Sequence, residues 1–228
     1  MSASEGQDKI PDIRALLQEI EEKSFDDDYI YRGEPEHYEE ISSSLYRQYR
    51  DIDVEPFNIE VVQKEILNKA KEYTQETNEF EILAELQHHG GKTNLIDFTT
   101  DYRIALFFAC DGFHDKDGRL ILQRREAIRD QIKRPQNPVN RVIAQKSVFV
   151  QPPKGFVEPD AEIDIPKNLK QPILDHLRKY HGISTETIYN DLHGFIKNQG
   201  IHQSAYTAFY TARASSDAES RIRRQRRE

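Results

Sequence analysis

The run Ile104-Ala105-Leu106-Phe107-Phe108-Ala109-Cys110 is the longest uninterrupted apolar stretch of this 228-residue chain. Asp101, just before it, can cap a helix, so the run predicts a helix that is apolar on almost every side. Such a helix has to be enclosed by other elements, and the segment Leu95-Ile96-Asp97-Phe98-Thr99-Thr100 ahead of it is expected to be a loop on a rigid support. The run is far short of the about 20 residues that a membrane span needs, so no crossing of a bilayer is expected. Cys110 is the single cysteine. An intramolecular disulfide, a zinc ribbon and an iron–sulfur cluster are thereby excluded, and a reducing compartment is expected. The segment from Met1 to Lys9 is polar and acidic, unlike a signal peptide, which makes the cytoplasm the expected location. The length suits one domain with a core of its own.

Charge is unevenly placed. Residues 1–60 hold 17 Asp or Glu against 6 Lys or Arg, whereas Arg221, Arg223, Arg224, Arg226 and Arg227 crowd the last eight positions beside one Glu. The acidic front is a poor surface for duplex DNA, whose binding depends on neutralising phosphates. The basic tail is either a solvated helix end or a contact for a protein or nucleic-acid partner.

Ile10, Ile13, Leu16, Leu17 and Ile20 recur at helical spacing, with Pro11 suited to a first turn and Asp26–Asp28 as the stop. Tyr29-Ile30-Tyr31 reads as a strand that ends at Arg32-Gly33. Helices are predicted from Phe57 to Tyr73 and around Phe80, Leu83 and Leu86, the second stopping at Gly90-Gly91 with His88 and His89 on its last turn. Gly118–Gln123 and Val142–Gln151 read as strands, and a helix is predicted from Ser184 to about Asn198. Strand and helix signals mix without βαβ regularity, so the fold class is α+β: a small mixed or antiparallel split sheet flanked by helices.

Four groups could carry chemistry. Arg32 at a strand end would offer a permanently charged, bidentate phosphate binder, with Gly33 letting a ligand approach the backbone; its other reading is a surface ion pair. His88 and His89 could act as base or donor, or simply satisfy a helix C-terminus. A metal site of His88, His89 and Asp97 is discounted, because adjacent helical side chains point about 100° apart. Asp97, Thr99 and Thr100 could bond sugar hydroxyls or cap the next helix. Gln145 stands in the strand predicted across Arg141–Val150. No phosphate-binding glycine loop, dinucleotide fingerprint or nucleophile elbow occurs in the sequence.

In order along the chain come Tyr31-Arg32-Gly33, Leu86-Gln87-His88-His89-Gly90, Thr93-Asn94-Leu95-Ile96-Asp97-Phe98-Thr99, Ala105–Ala109, Asn140-Arg141-Val142, Ala144-Gln145 and His181-Gly182-Ile183, then Ile188 to Gly194. This set resembles the FRG domain family of bacteria and phages. The resemblance implies a domain over 26–200, between an N-terminal helix at 1–25 and a C-terminal helix with the basic tail at 201–228. Tyr31-Arg32-Gly33 and Phe98-Thr99-Thr100 with Ala105–Ala109 are also similar to the first two motifs of the arginine–serine–glutamate class of ADP-ribosyltransferases. The third motif departs: Gln145 and Ser147 stand where a Glu is the rule, and an amide carries no charge to stabilise a developing cation.

What the likeness implies is an ADP-ribosyltransferase-like fold and an effector that binds NAD or another nucleotide, in a toxin or phage-defence setting. Its activity would be ADP-ribosyl transfer or NAD hydrolysis. On that enzyme reading the candidate catalytic residues are Arg32, His88, Asp97 and Gln145, with His88 or Asp97 as base or electrostatic partner. Tyr31, Arg32, Gly33, Thr93 and Thr99 are the implied binding residues for NAD, and no metal is implied. The alternative is a nucleotide or nucleic-acid binding module that uses the same pocket without turnover.

Overall fold

Tyr29–Glu34 (β1) lies inside a six-stranded sheet, and its alternating side chains divide the molecule into two packed faces. The computed structural model describes residues 12–25, 28–50, 58–136, 138 and 140–198, so Ile10, Pro11, Asp26, Asp27, Phe57 and the basic tail fall outside the described residues. The other strands are β2 (Ile41–Ser42), β3 (Ile96–Thr99), β4 (Gly118–Arg124), β5 (Ile132–Lys133), β6 (Ser147–Val150), β7 (Phe156–Val157) and β8 (Ala161–Ile165). They form the sheet β5-β6-β3-β1-β4-β8, in which every pair is antiparallel, and the separate pair β2-β7.

The helices are α1 (Ile13–Ser24), α2 (Ser44–Tyr49), α3 (Ile59–Ala70), α4 (Glu79–His88), α5 (Tyr102–Cys110), α6 (Asn140–Ala144), α7 (Lys167–His181), α8 (Thr185–Ile188) and α9 (Leu192–Lys197). Their starts follow side-chain capping. Asp12 accepts from Arg14 N, Asn58 from Glu60 N, Asn78 from Phe80 N and Asp101 from Arg103 N, each satisfying a backbone donor that the first turn leaves open.

The apolar run is α5, and it is enclosed as predicted: Ile104, Ala105, Leu106, Phe107, Ala109 and Cys110 are all buried. One sheet face, presenting Tyr31, Leu120, Leu122, Ile163 and Ile165, packs under α5, with α7 and Leu16 and Ile20 of α1 in the same core. The opposite face carries Ile30, Ile96, Phe98, Ile121, Val148 and Val150 and is covered by Ile41 and Val157 of the small sheet. A third cluster joins α3 and α4 to Leu95 and Phe149. Each large apolar side chain so enclosed contributes about 1.5–3 kcal/mol.

Four expectations are corrected. β1 runs on to Glu34, so Arg32 lies within the strand rather than at its end. Ile96–Thr99 is a strand, not a loop, because β1 and β6 pair with it from both sides. Strand β6 begins only at Ser147; Arg141 lies in the short helix α6, and Gln145 in the turn after it. The helix predicted from Ser184 to Asn198 is broken at Tyr189-Asn190-Asp191, where Asp191 caps a new helix by accepting from Gly194 N. Among the described residues no helix is long and apolar enough to cross a membrane.

Candidate functional site

A cleft of about 400 Å³ opens on the α5 face of the sheet. Its floor follows from the pleat: Tyr31 and Gly33 of β1, Asp97 and Thr99 of β3, and Ser147 and Phe149 of β6 share that face and all line the cleft. Helices supply the walls. Gln87 and His88 come from the last turn of α4, Phe108 from α5, Arg141 from α6 and Tyr189 from the break between α8 and α9.

The cleft exists because the sheet parts there. β1 meets β3 at Tyr31 opposite Thr99, and past that point Arg32 bridges the gap, donating from Nη1 to the Asp97 carbonyl at 3.0 Å. Its Nε donates to Glu34 at 2.9 Å, a carboxylate only 2 % exposed that also receives Arg119 at 2.8 Å. Arg119 in turn reaches Glu162 at 3.1 Å. The guanidinium of Arg32 is thus held by groups that are themselves held.

Asp97 presents its carboxylate to the cleft. Water reaches it there, yet protein crowds it on its other sides, and that burial pushes its pKa up from the ordinary value against the pull of Arg32 and Gln87. The Gln87 amide is locked in orientation: its Oε1 accepts from the Thr93 hydroxyl, and its Nε2 donates to Asp97 at 2.7 Å. Thr93, fully buried, does not line the cleft; it acts on Asp97 through Gln87.

Across the cleft, Asp191 gathers a polar cluster. It accepts from Arg141 Nη2 at 2.9 Å and from Gly194 N at 2.6 Å, and its second oxygen lies 3.6 Å from His88 Nε2. Burial works to raise its pKa, but Gly194 N–H, Arg141 and His88 outweigh that and hold the carboxyl below its usual range. The Arg141 guanidinium lies 5.6 Å from the centre of the Tyr189 ring. Tyr189 donates to Asp111 at 2.9 Å, and burial, with Asp111 beside it, raises its phenol pKa and keeps it a neutral donor.

Thr99 and Gln145 are already engaged. The Thr99 hydroxyl donates to the Gln145 carbonyl at 2.8 Å and accepts from Asp101 N, while the Gln145 amide donates to Ile188 O at 3.2 Å. Gly33, which lines the cleft, also has a packing role that was not expected. A Cβ there would come 1.7 Å from Ala105 O, so its missing side chain lets α5 lie against β1. His89 caps the C-terminus of α4 and is not part of the cleft lining.

Arg32, His88, Asp97, Thr99 and Gln145, together with Tyr31 and Gly33, therefore meet in one cleft. Sequence reasoning placed Gln87, Arg141, Tyr189 and Asp191 in the motifs behind the family resemblance but gave none of them a role in the site. For Arg141 a signal was present: it precedes Gln145 by four residues, the spacing that puts two side chains on one face of a helical turn. Reading 142–151 as a strand hid it. Among the described residues no group of three or more His, Cys, Asp or Glu is placed to hold a metal ion.

Residues 27–118 match the family model of the FRG domain. That span runs from β1 to the first residue of β4 and takes in Tyr31, Arg32, Gly33, Gln87, His88, Thr93, Asp97 and Thr99. Arg141, Gln145 and Tyr189 lie beyond it. No curated protein and no solved structure matches the chain.

Proposed function

We propose that the cleft binds a nucleotide of the NAD class and cleaves its nicotinamide–ribose bond. The observation that carries this is the convergence of Arg32, His88, Asp97, Thr99 and Gln145, scattered between positions 32 and 145, on one cavity also walled by Tyr31, Phe108, Phe149 and Tyr189. A cavity of this size with apolar rings and a few fixed polar groups suits a small ligand. The rings offer faces for a flat base. Arg32 offers guanidinium N–H groups, pre-oriented by Glu34, for phosphate oxygens.

Asp97 is the carboxylate available for the reaction itself. As the bond between ribose C1′ and the nicotinamide nitrogen breaks, the electron pair leaves with nicotinamide and positive charge develops on the sugar. An ionised Asp97, aimed by Gln87, stabilises that charge. Water or an acceptor group then adds to C1′ and gives up its proton to the imidazole of His88, acting as general base. Protonated Asp97 cannot play its part, so activity rises with pH until the carboxyl is ionised.

A second reading has its own support. The Gln145 amide and the Thr99 hydroxyl are spent on internal bonds, which fits a cleft that binds without turnover. Calorimetry with NAD, paired with an assay of nicotinamide release, separates the two. Binding and release are expected in the native chain, Arg32→Ala should weaken binding about 10-fold or more, and Asp97→Asn should keep binding while lowering release about 100-fold. Binding with no release selects the second reading; absence of NAD binding overturns both.

A further inference from the structure

The geometry points to Arg141 as a second phosphate-binding group of the cleft, so that the ligand it accepts carries a diphosphate rather than a single phosphate. This deepens the nucleotide reading above and rests on it.

Arg141 lines the same cavity as Arg32 but comes from α6, on the opposite side of β3 from β1. It is built in. Asp191 holds Nη2 at 2.9 Å, the Tyr189 ring lies under the guanidinium, and Gly194 makes room: a Cβ there would stand 3.0 Å from Nη2. Its side chain is 16 % exposed, and among the described residues its buried Nε finds no hydrogen-bond partner. A buried N–H donor without an acceptor is rare in folded proteins and costly, and in a cleft wall a ligand oxygen would satisfy it.

Neither guanidinium is matched one to one by a carboxylate. Asp191, the carboxylate that balances Arg141, also faces His88, just as Glu34 is divided between Arg32 and Arg119. The other acidic groups on the cleft, Asp111 and Asp97, accept from the Tyr189 hydroxyl and the Gln87 amide rather than from Arg141. Two guanidinium groups entering one cavity from different elements can each take phosphate oxygens, and two linked phosphates would use both where a single phosphate would leave one unused.

The test is a calorimetric series on the full chain with adenosine, AMP, ADP and ADP-ribose. ADP and ADP-ribose are expected to bind about 10-fold or more tighter than AMP, the range of one added charge-assisted contact. Arg141→Gln should bring ADP down to the affinity of AMP and leave AMP within about 3-fold. Because that change takes away the guanidinium partner of Asp191, the double variant Arg141→Gln/Asp191→Asn, which keeps an amide pair, is measured beside it and should behave alike. Equal affinity of the native chain for AMP and ADP overturns the inference, as does an equal loss of both ligands in the two variants. Failure of the native chain to bind any of the four overturns the nucleotide reading itself, and this inference with it.

Discussion

The two sides of the cleft are held by different physics. On the β1–α5 side the contact is backbone against backbone: Gly33 and Gly118 let Ala105 and Ala109 close to within a distance that a Cβ would occupy, over a dry core of Phe107, Leu120 and Leu122. On the α6–α9 side the cleft is held by directional polar bonds, Arg141 to Asp191, Gln145 to Ile188 O and Tyr189 to Asp111, and much of the α9 surface stays exposed, Leu192 at 73 % and Ile196 at 58 %. Close packing has one solution and resists displacement, whereas a few polar bonds can be exchanged for bonds to a ligand at little net cost. The contrast assigns the first side the role of a fixed frame for Arg32 and Asp97, and the second that of an adaptable wall. The FRG match divides along the same line, ending before Arg141.

Three measurements would break or sharpen this contrast. Gly33→Ala puts a methyl group 1.7 Å from Ala105 O and should cost about 3 kcal/mol of stability in urea unfolding, near the upper end for overpacking. A loss below about 1 kcal/mol would show that α5 can back away and that the frame is not rigid.

Asp101, the cap of α5, is the polar device of the packed side. Burial raises its pKa, but Arg103 and Lys146 outweigh that and bring it to about 2. A carboxyl depressed in the folded state contributes stability above its unfolded value near 4, and the contribution is lost as pH falls towards 2. Both partners are more than a third exposed, so Asp101→Asn should cost only about 1–2 kcal/mol at pH 7, shrinking towards zero near pH 2. Unfolding midpoints of the two proteins that stay equally far apart from pH 7 to pH 2 would refute the ion-paired cap.

Tyr189→Phe removes one hydroxyl and leaves Asp111 able to take water. It should lower the melting temperature by about 2–4 °C, the equivalent of about 1 kcal/mol in a chain of this size. A drop as large as that of Gly33→Ala would erase the difference between the two sides.

Much of the frame was legible beforehand. The enclosed helix, the Asp101 cap, β1, β4 and α4 with its stop at Gly90 all follow from periodicity and capping, which act over a turn or two. The misreadings share a cause. Ile96–Thr99 carries Asp97 in the middle of four residues and shows no strand run of its own; pairing with β1 and β6 makes it one. Val142–Gln151 is rich in β-formers, but Lys146, at φ 45°, separates a helical turn from the strand proper. Asp191 looks like one more helical residue until its side chain caps a new helix while pairing with Arg141, fifty positions away.

By itself, then, the amino-acid order determined which short elements form and which polar residues stand near their ends, because spacing and capping are local. Only the tertiary structure decided that β1 and β3 part beside Arg32, that Gly33 serves helix packing, and that Arg141 and Tyr189 close the cleft from the far side. Those outcomes depend on which strands become neighbours, a choice made by burial of whole faces and by the closest approach that two backbones can reach.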